Sequence, residues 1–386
     1  MMRFAAKPAG VQARASSLVH WLVERGHALS VVAGALHDEA ARPRRPESGM
    51  APGLRVQRCP LFEASAPHGL ARTVSNVSFA LASTPTLLKE AASFRPDIVA
   101  ALAPSASAAS AALATARIAG IPSWLHLEED TPTLGLEGAF ACVSLAALDA
   151  DARLEARGIA ETERLALLPW IDTREIQPLD EPSPLRDGLG LAASDVVVLY
   201  VGHCADARVA ELLIDAARQV PPRGAIRFVV CGKGPGLAAV AAAAADLPQL
   251  TLLQWPGEAG LDEVMALADI HLMPEGITAI DPLVPAKLAA QLATGRPIVA
   301  CMGTRVLPAA LKGAIVPASS TGEALAAAIV PLVAVGALRH ARGLAARLAA
   351  QDYFEKERVL RELERRLVAL AEGRRAIPLA RYERSP

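Results

Sequence analysis

A chain of 386 residues is too long for one ordinary core and suits two domains of roughly 150–200 residues each. Its 52% hydrophobic content excludes a disordered chain, and with aromatics at 4% the burial must come mostly from alanine, leucine and valine. A formal net charge of −1 excludes an overall basic field for nucleic acid. Five scattered cysteines (Cys59, Cys142, Cys204, Cys231, Cys301) without a Cys-x-x-Cys pair exclude zinc ribbons and thioredoxin-like redox chemistry.

The first half alternates helix and strand signals. Val11–Arg25 has helical apolar spacing and stops at Gly26-His27; Ala28–Ala33 reads as a buried strand and Leu54–Arg58 as another. Asn76–Phe94 is a predicted helix, Ile98–Leu102 a strand, Ala106–Ala119 a helix and Ser123–Leu127 a strand. Ala139–Ser144 reads as a further strand and Leu145–Arg157 as a helix ending at Gly158. Asp180-Glu181-Pro182-Ser183-Pro184 is a proline-rich break and the expected linker.

The pattern then restarts. Strands are expected at Val196–Val201, Arg227–Cys231, Leu250–Leu253, Ile270–Met273 and Pro297–Ala300. Helices are expected at Glu211–Gln219, Leu237–Ala245, Leu261–Ala268, Lys287–Ala293 and Thr321–Val333, with a charged amphipathic helix over Tyr353–Glu372. Alternation of this kind implies α/β architecture: two successive doubly wound domains, each a parallel sheet covered on both faces, with a ligand in the cleft between them. The expected division is 1–180, 185–350 and a C-terminal helix over 351–386 packing back on the first domain.

Two features bear on surroundings. Met1–Leu127 holds 13 Lys/Arg against 7 Asp/Glu, which fits either an ordinary solvated surface or a domain facing an anionic partner such as a membrane surface or a phosphate-bearing acceptor. Arg3 and Lys7 precede no apolar segment, and the uncharged run Ala324–Leu338 contains Pro331 and is too short to span about 30 Å of hydrocarbon. The expectation is a cytoplasmic protein with buried free thiols, any membrane contact being peripheral and through the N-terminal domain.

A set of landmarks in chain order carries a resemblance. They are "HWLVERGHALSVV", "RCPLF", "SFALASTPTLL", "RPDIV", "SWLHLEED", "RLALLPWIDTREIQPLD", "VVVLYVGH", "ELLIDAAR", "FVVCGKGPG", "ALADIHLMPE" and "PAKLAAQLATGRPIVA". In their order and spacing the chain resembles the GT-B glycosyltransferases of family 4 and is similar to the colanic-acid-biosynthesis (WcaI-like) type. The resemblance implies two Rossmann-like domains facing across a cleft, a nucleotide-sugar donor held mainly by the second, and a lipid-linked or saccharide acceptor approached from the first. It also implies retaining transfer in cell-surface or exopolysaccharide biosynthesis, with no metal and no cofactor beyond the donor.

The resemblance also assigns residues. A leaving diphosphate without a metal needs cations and oriented N–H groups. Lys287, after Pro285-Ala286 at the expected helix start, fits the cation, with Ala286 standing where the family has serine. Gly202 keeps the turn after the domain's first strand, Ala205 replaces a later glycine, and Arg208 takes a place where lysine or glutamine is common and can hold phosphate bidentately. Gly232 and Gly234 sit in a glycine-rich turn between strand and helix that would admit the nucleotide; it is not the G-x-G-x-x-G fingerprint of NAD enzymes. Glu275 and Asp281 are either sugar-hydroxyl contacts or solvated loop carboxylates, and the family's ribose-binding glutamate is replaced by Ala290.

In the first domain His126, at the end of a strand, would contact the donor sugar, and Glu128 and Glu129 would position an acceptor hydroxyl. Gly10 and Gln12 would remain from the acceptor loop that follows strand one. Only Met2–Pro8 is offered for that strand, which is then very short, has lost its start, or belongs to an eroded domain. Together with Ala205, Ala207 and Ala290 this keeps open a catalytically weak or inactive GT-B homologue acting as a binding protein; a second alternative is a sugar-nucleotide epimerase on the same fold.

Overall fold

The computed structural model describes residues 11–35, 52–60, 70–102, 106–127, 135–147, 149–178, 183–204, 207–220, 226–255, 261–274, 283–301 and 309–373. The chain divides into two compact units, the first running through Pro169 and resuming at Val359, the second running from Trp170 to Arg358.

The first unit opens with α1 (Val11–Glu24), which buries Leu18, Val19, Trp21 and Leu22. It continues through β1 (Leu29–Ala35), β2 (Leu54–Pro60), α2 (Leu70–Phe94), β3 (Val99–Leu102), α3 (Ala106–Ala119), β4 (Ser123–Leu127), β5 (Cys142–Leu145), α4 (Ala150–Ala156) and β6 (Arg164–Ala166). Its strands are all parallel but lie in two separate sheets, β1-β2 and β3-β4-β5-β6. Val99, Leu125, Val143 and Leu154 centre a core in which small alanines of α3 (Ala109, Ala112, Ala116) let that helix lie close on the sheet.

In the second unit, after the short α5 (Leu185–Gly188), β7 (Val196–His203), α6 (Ala207–Arg218), β8 (Ile226–Lys233), α7 (Leu237–Ala244), β9 (Leu250–Leu253), α8 (Leu261–Met265), β10 (Ile270–Met273), α9 (Leu283–Ala293), β11 (Ile298–Cys301) and β12 (Ile315–Ala318) form a six-stranded parallel sheet with its helices. The order is β12-β11-β10-β7-β8-β9. Chain order thus reverses direction between β7 and β10, the arrangement of a dinucleotide-binding sheet with its ligand crevice at the switch point. The strands read as unbroken apolar runs because both faces are covered, Val198, Tyr200 and Val230 packing to one core cluster and Val197, Leu199 and Val229 to another. α10 (Gly322–Ala334) starts at Thr321, whose hydroxyl accepts a bond from the Ala324 amide at 3.2 Å. α11 (Gly336–Ala349) and α12 (Lys356–Ala371) follow.

From Val359 onward α12 belongs to the first unit. Glu364 there accepts from Arg25 and His27 at 2.8 Å each, and Arg25 above all holds the Glu364 carboxyl below the usual carboxylate range. Arg366 donates to the Thr162 carbonyl.

Several expected elements differ from those observed. The units divide at Pro169/Trp170, not at the proline-rich segment, because Trp170–Pro178 is bound to the second unit: Ile171 pairs with Phe354 and Lys356 backbone, and Arg347 bonds the Thr173, Ile176 and Ala293 carbonyls at 2.6–2.7 Å. Leu145 ends a strand instead of starting a helix; in an unbroken apolar run periodicity cannot separate the two. α11 and β12 had no expected counterpart. Gly343 interrupts α11's helical signal, yet it is the residue where the helix backs onto the end of α9: a Cβ there would lie 2.3 Å from the Gly295 carbonyl oxygen.

Arg347→Ala should lower the stability of the second unit by about 2–3 kcal/mol, because three carbonyls lose a charged donor. Urea unfolding followed by tryptophan fluorescence reads this as a lower midpoint at unchanged slope.

All five cysteines are free and buried, and burial pushes the Cys142 and Cys231 thiols up to about 11, far from nucleophile range. Among the described residues no cluster of side chains could hold a metal ion. Nor is any single helix there long and apolar enough to cross a membrane; α10 and the helical run Gly336–Phe354 reach that length only as a pair bent by 105°.

Candidate functional site

The switch point of the second sheet gathers the sequence's main phosphate-binding candidates. β7 and β8 run in register to their carboxyl ends, Gly202 opposite Gly232 and His203 opposite Lys233. The loops beyond are tied together: the Cys204 amide donates to the Lys233 carbonyl at 2.7 Å, and the Gly236 amide to the Cys204 carbonyl at 3.1 Å.

Two glycines here are fixed by backbone approach. A Cβ on Gly232 would sit 2.2 Å from the Gly202 carbonyl oxygen; one on Gly234, whose φ is +116°, would sit 2.4 Å from the Cys204 oxygen. Gly202 is different in kind. A Cβ there would meet side chains, the Tyr200 hydroxyl at 2.9 Å and the Lys287 ammonium at 3.1 Å. Lys287 therefore reaches from α9 across the switch point to the end of β7.

Its position in the helix corrects the sequence reading. α9 begins at Leu283, so Lys287 stands in the second turn and not at the start. Pro285 falls in the first turn, where an amide has no intrahelical acceptor to lose, so it does not delay the helix. Side chains on a helix lean toward its N-terminus, which returns the ammonium to the first turn's end of α9. The residue as a whole is half-buried, with its Nζ 4.9 Å from the Tyr200 ring centroid. Burial draws the ammonium pKa down from 10.5 to about 7.

A second cation stands at the end of β8. Lys233 Nζ lies 4.7 Å over the Trp255 ring, just beyond β9. The two lysines are thus each poised on an aromatic face, which attracts a cation without neutralising it. Lys233, Tyr200 and Trp255 were not singled out from sequence, although Lys233 lies inside the glycine-rich turn that was; an aromatic two residues before a strand-end glycine is the signal that could have marked Tyr200. Arg208 is exposed in the first turn of α6 and its charge bears on the Cys301 thiol at the end of β11, so it too belongs to the carboxyl edge of the sheet.

Behind the site His271 on β10 is fully buried, its Nε2 2.9 Å from the Thr294 hydroxyl. Burial, reinforced by Arg296 and Lys287, lowers its pKa to about 3, so it stays neutral and adds no charge to the pocket.

In the first unit His126 lies near the carboxyl end of β4 and is 3% exposed. Its Nδ1 is 2.8 Å from the Ser144 hydroxyl, which also accepts from the Trp124 indole at 2.8 Å. The ring is packed within that unit, with little surface open to a ligand. Gln12 falls in α1, its side chain undescribed; Gly10, Glu128, Glu129, Glu275 and Asp281 lie outside the described residues.

Two Rossmann-like domains, the second with a glycine-lined, lysine-bearing switch point, define a GT-B fold. More particularly, residues 9–168 match the family described as Glycosyl transferase 4-like domain. Among solved structures the chain is similar to Anabaena Alr3699/HepE in complex with UDP and glucose, with TM-score 0.67, 16% identity, and 95% of this chain and 98% of that chain covered. It is also similar to sucrose-phosphate synthase from Thermosynechococcus elongatus (TM-score 0.72, 16% identity, 95% and 94% covered). A third similar structure is the lipopolysaccharide outer core galactosyltransferase WaaB in its apo form (TM-score 0.62, 12% identity, 95% and 98% covered). At these identities the likeness is one of fold. No curated protein sequence matches the chain.

Proposed function

We propose that the protein is a glycosyltransferase whose second unit binds a nucleotide-sugar donor, with the donor's diphosphate at the carboxyl ends of β7 and β8. The observation that carries this reading is Lys287: its ammonium lies 3.1 Å from where a Cβ on Gly202 would stand, at the switch point of a dinucleotide-type sheet. The resemblance of the sequence, the match over residues 9–168 and the UDP in the HepE structure support it.

The chemistry asks little else of the protein. As the glycosidic bond to the donor phosphate breaks, negative charge grows on the departing diphosphate. Lys287 gains most from that charge, because a desolvated, half-deprotonated amine is restored to full charge by an adjacent anion. Lys233 and Arg208 lie at the same sheet edge as further cations, and the exposed guanidinium of Arg208 can take a phosphate bidentately. A retaining, metal-independent transfer to a lipid-linked or saccharide acceptor in surface-polysaccharide assembly is the most specific form of the proposal, with the protein in the cytoplasm and the positive excess of Met1–Leu127 toward an anionic membrane face. His126 enters as a donor-sugar contact only if its ring turns out from Ser144, so the donor site rests first on the second unit.

A screen of UDP-, GDP- and ADP-sugars by thermal shift, followed by product analysis with radiolabelled donor, tests the proposal. One nucleotide class should raise the melting point, since a ligand at a hundred times its Kd adds about 2.7 kcal/mol. No stabilisation by any class would count against it.

Binding should also take up a proton. Above pH 7 most Lys287 is neutral, and an anion beside it pulls the pKa back toward 10.5. Titration calorimetry at pH 8 in buffers of differing ionisation enthalpy should show uptake of up to about one proton per nucleoside diphosphate, absent in Lys287→Met.

A further inference from the structure

A surface helix ordinarily turns its apolar stripe inward and its polar side to water. Helix α11 is apolar on both sides. Its inner side is small, with Gly343, Ala346 and Ala349 buried. Its outer side carries Ala337, Ala341, Leu344 and Leu348, all exposed and spaced at i, i+4, i+7 and i+11, which makes one stripe along the helix. Leu344 and Leu348 are 53% and 59% exposed. Of the ten large hydrophobic side chains exposed among the described residues, five fall between Val330 and Leu348, so this is a patch and not scatter.

The charge within these helices has one sign. From Ala324 to Gln351 the chain holds Arg339, His340, Arg342 and Arg347 and no carboxylate. Arg339 donates to the Leu332 carbonyl at 2.7 Å and Arg342 to the Lys312 carbonyl at 2.9 Å. A carbonyl satisfies a guanidinium N–H without cancelling its charge, and among the described residues neither guanidinium is paired with a carboxylate. Lys312 itself is exposed. A helix is about 10–12 Å across with its side chains, so these charges act through the stripe over about one Debye length.

Two other arrangements fit less well. α10 and the run Gly336–Phe354 are apolar enough to span a membrane only as a pair bent by 105°, and α10 keeps Leu325, Ile329 and Leu332 in the core of the unit. What is left for a lipid is the outer stripe of α11. A second copy docked on that stripe about a two-fold axis would bring two positive flanks together, which is unfavourable.

We propose that α11 is an interfacial helix, laying Leu344 and Leu348 into the headgroup boundary of an anionic lipid bilayer while Arg339, Arg342 and Lys312 draw it to the surface. Leucines on one side and uncompensated cations on the flanks are the chemistry that such a surface retains. The inference concerns the second unit alone and depends neither on the donor site nor on the positive excess of Met1–Leu127.

Flotation of the full chain with vesicles tests it, using phosphatidylglycerol mixed into phosphatidylcholine beside phosphatidylcholine alone. The wild type should float with the anionic vesicles, and the double variant Leu344→Gln/Leu348→Gln should bind them at least about tenfold more weakly. Raising the salt from about 0.1 M to about 0.5 M should weaken the wild type. Ala341→Glu, which adds a charge to the stripe and removes no contact, should reproduce the loss if the double variant folds poorly. Without lipid, wild type and variants should show the same melting point and the same thermal shift with nucleoside diphosphates, which separates failure here from failure of the donor site. No flotation by the wild type would overturn the proposal, as would equal flotation of wild type and variants, which would give the lipid to another surface. Equal binding to phosphatidylcholine alone would overturn it too. So would a dimeric mass by light scattering that becomes monomeric in the variants, since a second copy would then cover the stripe.

Discussion

Replacing Lys287 by alanine is expected to weaken nucleoside diphosphate binding by about 30-fold, or roughly 2 kcal/mol, the range for a charge-assisted bond in a partly desolvated site. Isothermal titration with UDP, GDP and ADP on wild type and variant measures it. The free protein should respond in the opposite sense. Folded Lys287 has its pKa near 7 against 10.5 unfolded, so below pH 7 it is charged in both states and its desolvation opposes folding. Between pH 7 and 10.5 the unfolded state alone holds the proton, and stability rises with pH until the penalty is gone. Lys287→Met should therefore raise the unliganded melting point at pH 7, and that gain should vanish as pH approaches 10.5. A lysine serving only the fold would give the reverse, a less stable variant with unchanged ligand affinity.

Gly232→Ala is expected to destabilise the second unit strongly. The added carbon would stand 2.2 Å from the Gly202 carbonyl oxygen, which belongs to the neighbouring strand and cannot rotate aside. Either the ends of β7 and β8 part or the sheet register shifts, and overpacking against backbone costs about 1–3 kcal/mol or more. Nucleotide binding should be lost with it, because the same ladder aims Gly202 at Lys287. Gly202→Ala separates the two effects. Its clash is with the flexible end of Lys287 and with the Tyr200 hydroxyl, so the melting point should move little while affinity falls nearly as far as in Lys287→Ala. Far-ultraviolet dichroism melts and nucleotide titrations on the two glycine variants distinguish them.

The architecture was largely legible because parallel strands buried on both faces leave unbroken apolar runs such as Val196–Val201, and because glycines and prolines punctuate them. Where alanine-rich runs serve strand and helix alike, as at Leu145, local pattern could not choose. The helix Gly336–Ala349 had no expected counterpart, and the reason for the glycine in its interior, Gly343, is a backbone contact with Gly295, 48 residues earlier in the chain.

The sequence by itself determined that two doubly wound units would form and that Gly202, Gly232, Gly234 and Arg208 would fall around the carboxyl ends of strands, because hydrophobic period and turn chemistry are local properties. Only the tertiary structure decided which of them meet. It set the order of the six strands, and hence the switch point. It placed Lys287 one turn inside its helix yet against Gly202, and it brought Tyr200, Lys233 and Trp255 beside the cations. It also drew the ammonium pKa toward 7. Those outcomes depend on burial and on contacts between residues up to 87 positions apart, such as Tyr200 and Lys287, and no local window of sequence carries that information.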